Sequence, residues 1–136
     1  MVGHLPFKWG IRIYFEDTDS GGVVYHSNYL KFMERARTEW LRSLQINQVD
    51  LKKKDKMMFV VANINIDYKK AARFNDQLDI ETSLDKIGAS RVDLTQNIMK
   101  NSELYTSAKV SIACIHSETF KPQRIPKLIK QQMEIL

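Results

Sequence analysis

The side chains best suited to chemistry in this chain lie close together, between residues 16 and 28. Residues 16–19 (Glu-Asp-Thr-Asp) supply three carboxylates, two glycines follow at 21–22, and His26 stands just before a predicted helix. A carboxylate in such a place could activate water or attack an electrophile. Free backbone N–H groups at a helix N-terminus would polarise a carbonyl group. This combination is typical of a hydrolase.

The same segment could instead bind a metal ion, in one of two ways. Asp17, Asp19 and Gly22 occupy positions one, three and six of an EF-hand calcium loop, but position twelve is Asn28, where a bidentate Glu is required. Asp17, Asp19 and His26 could also hold another metal ion, although three ligands without a further His or Cys nearby form a weak pattern. Ordinary turn and cap chemistry is the remaining alternative. His26 taken singly is more typical of an orienting or capping side chain than of a base.

The spacing of apolar residues predicts the elements that position this segment. Residues 9–15 alternate between apolar and polar side chains, which predicts a strand that ends at the carboxylates. From Asn28 to about Gln45, apolar residues recur every three or four positions, as in an amphipathic helix of four turns or more. Ser27 or Asn28 is the candidate N-cap. The helix therefore begins where the glycine-containing loop ends.

Most of the remaining chain has the alternation of β-strands, followed by a short helix that opens at Pro126. Short links between the last three strands require antiparallel pairing. We therefore predict an α+β domain over residues 1–136, in which a five-stranded antiparallel sheet curls around one long helix. Its open edges favour an oligomer. The four later strands are predicted at 59–68, 77–87, 91–100 and 104–116.

Composition narrows the class of protein. The 136 residues include a single cysteine, Cys114, so an intrachain disulfide is excluded, and its apolar neighbours favour a packed thiol. The chain has neither a 20-residue apolar span nor a secretory signal pattern at residues 1–6, which predicts a soluble cytoplasmic protein without a membrane span. A net charge of +5 suits an anionic partner. The basic run 52–56 contains no aromatic residue for base stacking, so we interpret it as a solvated loop and expect no nucleic-acid partner.

Residues 14–37, YFEDTDSGGVVYHSNYLKFMERAR, resemble the signature of the 4-hydroxybenzoyl-CoA thioesterase family. The resemblance is strongest to the branch of bacterial acyl-CoA thioesterases encoded beside the Tol-Pal cell-envelope system. Residues 68–73 with 76–78, and the prolines at 122 and 126, match the same branch. The resemblance spans nearly the whole chain.

This resemblance implies a hotdog fold, dimers usually paired into tetramers, and thioester sites at the dimer interface. It implies hydrolysis of acyl-CoA without a cofactor or metal, with Asp19 as base or nucleophile. The backbone N–H near His26 would polarise the carbonyl, and the His26 side chain would be a catalytic partner. Tyr25 would contact the substrate. The candidates for binding the CoA phosphates are Lys69, Lys70 and Arg73. Lys52–Lys54 are further candidates.

Two positions depart from the pattern of this family. Phe15 replaces a frequent Tyr, which removes a hydroxyl, and Ala71 replaces a common Pro, which should loosen its loop without touching the chemistry.

The main alternative is a non-catalytic hotdog module that holds an acyl group or binds acyl carrier protein. Peripheral association with the inner membrane is also left open. A hydratase is disfavoured, because His26 follows the first strand and does not lie in a separate hydratase motif.

Overall fold

The computed structural model describes residues 5–134. Residues 1–4 and 135–136 lie outside the described residues. The prediction that the start of the chain lacks a signal segment falls on the first of these ranges. The described chain forms five strands and three helices in an α+β arrangement. These elements are β1 (Phe7–Arg12), α1 (His26–Ser43), α2 (Gln48–Lys54), β2 (Met57–Tyr68), β3 (Gln77–Ile87), β4 (Arg91–Lys100), β5 (Glu103–His116) and α3 (Lys127–Glu134).

The five strands form one antiparallel sheet in the order β1-β3-β4-β5-β2. This confirms the predicted sheet, in which short turns link β3, β4 and β5 so that each pairs with the next. The strand β2 lies at one edge because it precedes the three-strand meander but pairs with its last member. Its exposed edge runs from Met57 to Tyr68, and Tyr68 is the end that concerns the site below.

The core lies between α1 and the inner face of the sheet. The buried stripe of α1 includes Phe32 and Met33, and it packs against a sheet face that includes Ile80 and Leu94. Each such side chain contributes about 1.5–3 kcal/mol when it is fully buried. The other buried residues of α1 are Tyr29, Ala36, Trp40 and Leu41.

A buried amide fixes how α1 sits on this face. Gln96 of β4 has no exposed surface and donates to the carbonyl of Met33 and the hydroxyl of Thr82, both at 3.0 Å. Its side-chain oxygen accepts from Arg37 at 2.9 Å. Because slipping the helix along the sheet would leave these polar groups unpaired, the network fixes the position of the helix start.

Two predictions at the ends of these elements are wrong. Strand β1 ends at Arg12 and not at residue 15, because Ile13 turns away to exchange backbone hydrogen bonds with residues 75 and 76. A short 3₁₀ turn follows at Phe15–Asp17. Helix α1 begins at His26, earlier than predicted, and neither Ser27 nor Asn28 caps it.

The basic run is also not a loop. Residues 52–54 form the last turn of α2, whose start is capped by Asn47, the acceptor of the Asp50 amide at 3.1 Å. Lysines at a helix C-terminus are stabilised by its dipole. The solvated part of the interpretation holds, since these lysines are exposed.

Two further features of the described part of the chain concern its cysteine and the apolar character of its helices. Burial raises the pKa of Cys114 to about 11, so the thiol is protonated and packed in the core. Within residues 5–134, no helix combines the length and the apolar character needed to cross a membrane.

Candidate active site

The loop between β1 and α1 presents the carboxylate of Asp19 to solvent. One oxygen, Oδ1, accepts the Gly21 amide at 2.8 Å, and the Asp19 carbonyl accepts the Gly22 amide at 3.0 Å. Gly22 has φ +80°, a left-handed conformation that glycine adopts without steric cost. At Gly21 a Cβ atom would lie only 3.2 Å from Asp19 Oδ1. Both glycines therefore hold the Asp19 carboxylate in a turn that leaves its second oxygen open.

Helix α1 starts without a side-chain cap. Its N-cap residue is Tyr25, which is extended and makes no capping hydrogen bond through its side chain. The first amides of a helix have no partner inside the helix. Among residues 5–134, no protein acceptor faces the amides of His26 and Ser27. These two N–H groups, together with the helix dipole, can therefore stabilise negative charge on a substrate.

Asp17 differs from Asp19 in that its carboxylate is turned inward. The residue is only 9% exposed, and both oxygens are occupied. One oxygen accepts the Tyr14 amide at 2.8 Å, and the other accepts the side-chain amide of Asn28 at 2.9 Å. Asp17 is consequently a structural anchor and not a base open to substrate.

A pocket of about 280 Å³ lies beside Asp19 and the start of α1. It brings together five of the predicted site residues: Asp19, Tyr25, His26, Lys69 and Lys70. The sixth, Arg73, is exposed on the next part of the loop and does not line this pocket. The other lining residues are Val23, Val24, Tyr29, Tyr68 and Ala71.

Two tyrosines that sequence reasoning left out of the site form the pocket wall. The ring of Tyr68 lies 5.0 Å from that of His26 and 5.4 Å from that of Tyr29, measured between centroids. The Tyr29 hydroxyl accepts the Ala72 amide at 3.0 Å, and burial raises the pKa of this hydroxyl. Tyr29 belongs to the apolar stripe of the helix, so its pattern indicates only core packing. Tyr68 could have been predicted as a site residue from the sequence, because it directly precedes the lysines predicted to bind phosphate.

The loop after β2 is held against the carboxylate loop by backbone hydrogen bonds. The Val24 amide donates to the Ala72 carbonyl at 2.8 Å, and the amides of Lys69 and Lys70 share the Tyr105 carbonyl at 2.9 and 3.0 Å. Ala71, which stands where relatives often have proline, is one of the residues that line the pocket.

The basic residues at the pocket mouth are paired with carboxylates. Lys69 lies 2.9 Å from Asp67, and Lys70 is bound to Glu103, a hydrogen bond that raises the Lys70 pKa. Both lysines remain about half exposed and can exchange these partners for an anionic substrate. Lys52–Lys54 lie beyond the other end of α1, a helix about 27 Å long. They are not part of this pocket.

The metal-binding interpretations have no support in this geometry. Asp17 and Asn28, the first and twelfth positions of the calcium-loop pattern, are hydrogen-bonded to each other and do not face a shared ion. Across the part of the chain that the structure describes, no three His, Cys, Asp or Glu side chains are grouped to hold a metal.

Comparison with known proteins places this geometry in a family. The sequence model of the Thioesterase-like superfamily matches residues 13–133. The chain is 41% identical over 124 residues to "Acyl-CoA thioesterase YbgC" of Haemophilus influenzae, a match that covers 91% of each chain. It is 39% identical over 124 residues to "Acyl-CoA thioester hydrolase YbgC" of Escherichia coli O6:H1, covering 90% of this chain and 92% of the relative.

Solved structures agree with the sequence comparison. A probable thioesterase from Bartonella henselae superposes with a TM-score of 0.84 at 35% identity, covering 89% of this chain and 99% of the other. A 1,4-dihydroxy-2-naphthoyl-CoA thioesterase from Synechocystis, at 22% identity, shares the fold with a TM-score of 0.86 over 93% and 94% of the two chains. The hotdog fold and the family resemblance drawn from residues 14–37 are both confirmed. This chain is a member of the thioesterase-like superfamily, and the YbgC thioesterases are among its relatives there.

Proposed function

We propose that this protein hydrolyses acyl-CoA thioesters to a free acid and CoA. The observation that carries the proposal is one pocket in which an exposed carboxylate, Asp19, lies beside the uncapped start of α1. Curated relatives in Haemophilus influenzae and Escherichia coli that are named acyl-CoA thioesterases or thioester hydrolases support it. A thiol-release assay with purified protein over acyl-CoA substrates of different chain length tests it.

In the proposed reaction, Asp19 acts on one side of the thioester and the helix amides act on the other. Asp19 either removes a proton from the attacking water or attacks the carbonyl carbon itself, giving a mixed anhydride that water then hydrolyses. The amides of His26 and Ser27 stabilise the oxyanion. The thiolate leaves without a strong acid, because its parent thiol has a pKa near ~8.5 by analogy with cysteine. Amides, whose leaving group is far more basic, would be poor substrates.

The His26 imidazole is proposed to act as a partner of Asp19. Its ring is held against Tyr68 in the pocket wall and so has a defined orientation. From this position it can hydrogen-bond the attacking water or the substrate. Tyr25, which is 59% exposed at the pocket, is proposed to contact the acyl or pantetheine part of the substrate.

Lys69 and Lys70 are proposed to bind the phosphates of CoA. The Lys69→Glu/Lys70→Glu variant is expected to raise KM for acyl-CoA by roughly tenfold, because it replaces attraction of the CoA phosphates by repulsion at two exposed positions. Its KM for a small thioester without the nucleotide should change little. Steady-state kinetics with both substrates measures the difference.

The matched control for this prediction is Lys52→Glu/Lys53→Glu on α2, which changes the net charge equally. It should leave both KM values near those of the parent. If it raises KM for acyl-CoA instead, the phosphates bind at α2. Arg73, outside the pocket lining, is proposed only as a longer-range contribution to the same positive potential.

A homodimer that pairs along β2 is proposed as the active form, and dimers could assemble further into tetramers. The strand has 12 residues and an unpaired edge, with Val61 and Tyr68 both more than 40% exposed. Long unpaired edges readily accept another strand. The pocket lies at the Tyr68 end of this edge, so a partner chain would cover it and complete its wall.

Ala62→Asp in the middle of that edge is expected to shift the protein toward monomer and to lower its activity in parallel. Each chain would bring one carboxylate into the same interface, and like charges in an interface between strands are unfavourable for pairing. Sedimentation velocity and thiol release at matched concentrations test this. Lys8→Asp on β1, the opposite edge, should leave assembly intact. Dissociation by Lys8→Asp alone would place the interface at β1.

The second candidate function is a non-catalytic module that holds an acyl group or binds acyl carrier protein. The half-exposed lysines at the pocket mouth are the observation in its favour, since they could exchange their partners for the carboxylates of an acidic carrier protein as well as for the phosphates of CoA. Binding of acyl-CoA without thiol release would support this alternative. A role beside the Tol-Pal system stays a prediction from the resemblance.

A further inference from the structure

We propose that Asp17 is a positioning residue, which fixes the start of α1 against the loop that carries Asp19, so that the Asp19 carboxylate and the first helix amides can meet the substrate together. This inference rests on the function proposed above. It assigns a separate task to the buried carboxylate of the loop, whereas Asp19 is the residue proposed to act on the substrate.

The absence of a cap is notable because suitable residues surround the helix start. Ser, Thr, Asp and Asn side chains normally accept the amides of a first helical turn. Asn28 stands in that turn, yet its side-chain amide donates to Asp17 Oδ1 at 2.9 Å. This bond ties the first turn of α1 to the loop through a donor group, which cannot itself cap an amide. The amides of His26 and Ser27 are unpaired among the described residues.

Asp17 also joins both ends of the loop that carries Asp19. Its Oδ2 accepts the Tyr14 amide at 2.8 Å, before the loop turns, and its backbone carbonyl accepts the Tyr25 amide at 3.1 Å, at the helix start. With Asn28, these contacts fix the loop at three points. The separation between the Asp19 carboxylate and the first amides of α1 is thus set through Asp17.

Burial makes this arrangement specific. Asp17 is 9% exposed, and a buried carboxylate requires donors on both oxygens. Tyr14 and Asn28 supply one donor to each oxygen, and neither donor is a backbone amide of α1. Loss of the Asn28 donor would free Oδ1 and loosen one of the three attachments.

The test uses Asn28→Ala in the full-length protein, with kcat and KM measured well below its unfolding midpoint. We expect kcat to fall roughly 10- to 100-fold, the size expected for misplaced catalytic groups, with KM within about twofold. The exchanged pair Asp17→Asn/Asn28→Asp keeps one donor and one acceptor between the two positions and should recover most of kcat. The matched control is Asn47→Ala, which removes the cap of α2 and should lower the unfolding midpoint without lowering kcat.

Several outcomes would overturn the proposal. If Asn28→Ala lowers only the unfolding midpoint, as Asn47→Ala does, Asp17 is merely structural. Failure of the exchanged pair to recover kcat would also contradict positioning through this contact. Amide hydrogen exchange of the parent protein is independent of activity, and slow exchange at both His26 and Ser27 would show that the helix start is capped. Failure of the proposed function is distinguished by the parent protein, which would then release no thiol from acyl-CoA.

Discussion

Asp19→Asn is expected to fold like the parent protein and to lose roughly two to four orders of magnitude in kcat, the usual contribution of a general base. The substituted amide keeps an oxygen that can accept the Gly21 hydrogen bond, so the turn is preserved. It lacks the negative charge and basicity needed to take a proton from water or to attack a thioester. Thiol release and circular dichroism on the same preparation measure both properties.

The control for this loss lies in the same run of carboxylates. Glu16 is exposed, three residues from Asp19, and outside the pocket lining. Glu16→Gln removes the same charge from the same loop and should retain nearly all activity. Parental turnover in Asp19→Asn would exclude Asp19 from catalysis, and equal losses in the two variants would show that the carboxylate acts only through the general field of the loop.

The two roles open to Asp19 can be separated by a single turnover in water labelled with oxygen-18. General-base catalysis places the label in the released acid. Attack by Asp19 forms an anhydride, and hydrolysis at the Asp19 carbon would transfer an unlabelled enzyme oxygen to the acid and leave the label in the protein. Mass spectrometry therefore identifies the anhydride route by label in the protein, whereas label in the acid alone fits general-base catalysis or attack of water at the acyl carbon of the anhydride.

His26→Pro is expected to lower kcat by about 10²–10³-fold relative to His26→Ala, the usual effect of losing one oxyanion donor. Both variants lack the imidazole, but only proline also removes the backbone N–H. Proline is favoured at the first position of a helix, where the N–H has no helical partner. Tyr25, the preceding residue, has φ −68° and ψ 139°, a conformation that a following proline allows. The fold should therefore tolerate the change.

Comparison of the three proteins separates two functions of one residue. The difference between the parent and His26→Ala reports the imidazole, and the difference between His26→Ala and His26→Pro reports the amide. Thermal unfolding should show similar midpoints for the two variants. If they are equally active, the amide of His26 does not face the developing charge, and the oxyanion donor lies elsewhere.

The fold was largely determined by local pattern. Period-two alternation specified the last three strands to within one residue, because residues on one face of a strand must share one environment. The long helix was equally clear from its apolar stripe. Local pattern failed where the chain leaves regular structure, as at Ile13, and in α2, whose seven residues are too few for a distinctive stripe. The domain limits at 1–136 stay a prediction.

The candidate site shows the same division. The residue types and spacing at 16–19 predict a cluster of carboxylates, and the family resemblance indicates Asp19 among them. By type alone, Asp17 and Asp19 are equivalent. Only the fold turns Asp17 inward to Tyr14 and Asn28 and leaves Asp19 open to the pocket.

The sequence by itself therefore determined the order of elements and the residues able to do chemistry, since periodicity and side-chain type are local properties. The tertiary structure decided which of those residues meet. Tyr68 and Lys69 lie some forty residues from His26 in the chain, and they join it because β2 runs along the edge of the sheet to the start of α1. Hydrogen bonding decided the rest: the side chain of Asn28 pairs with Asp17, and this bond ties the start of α1 to the loop that carries Asp19.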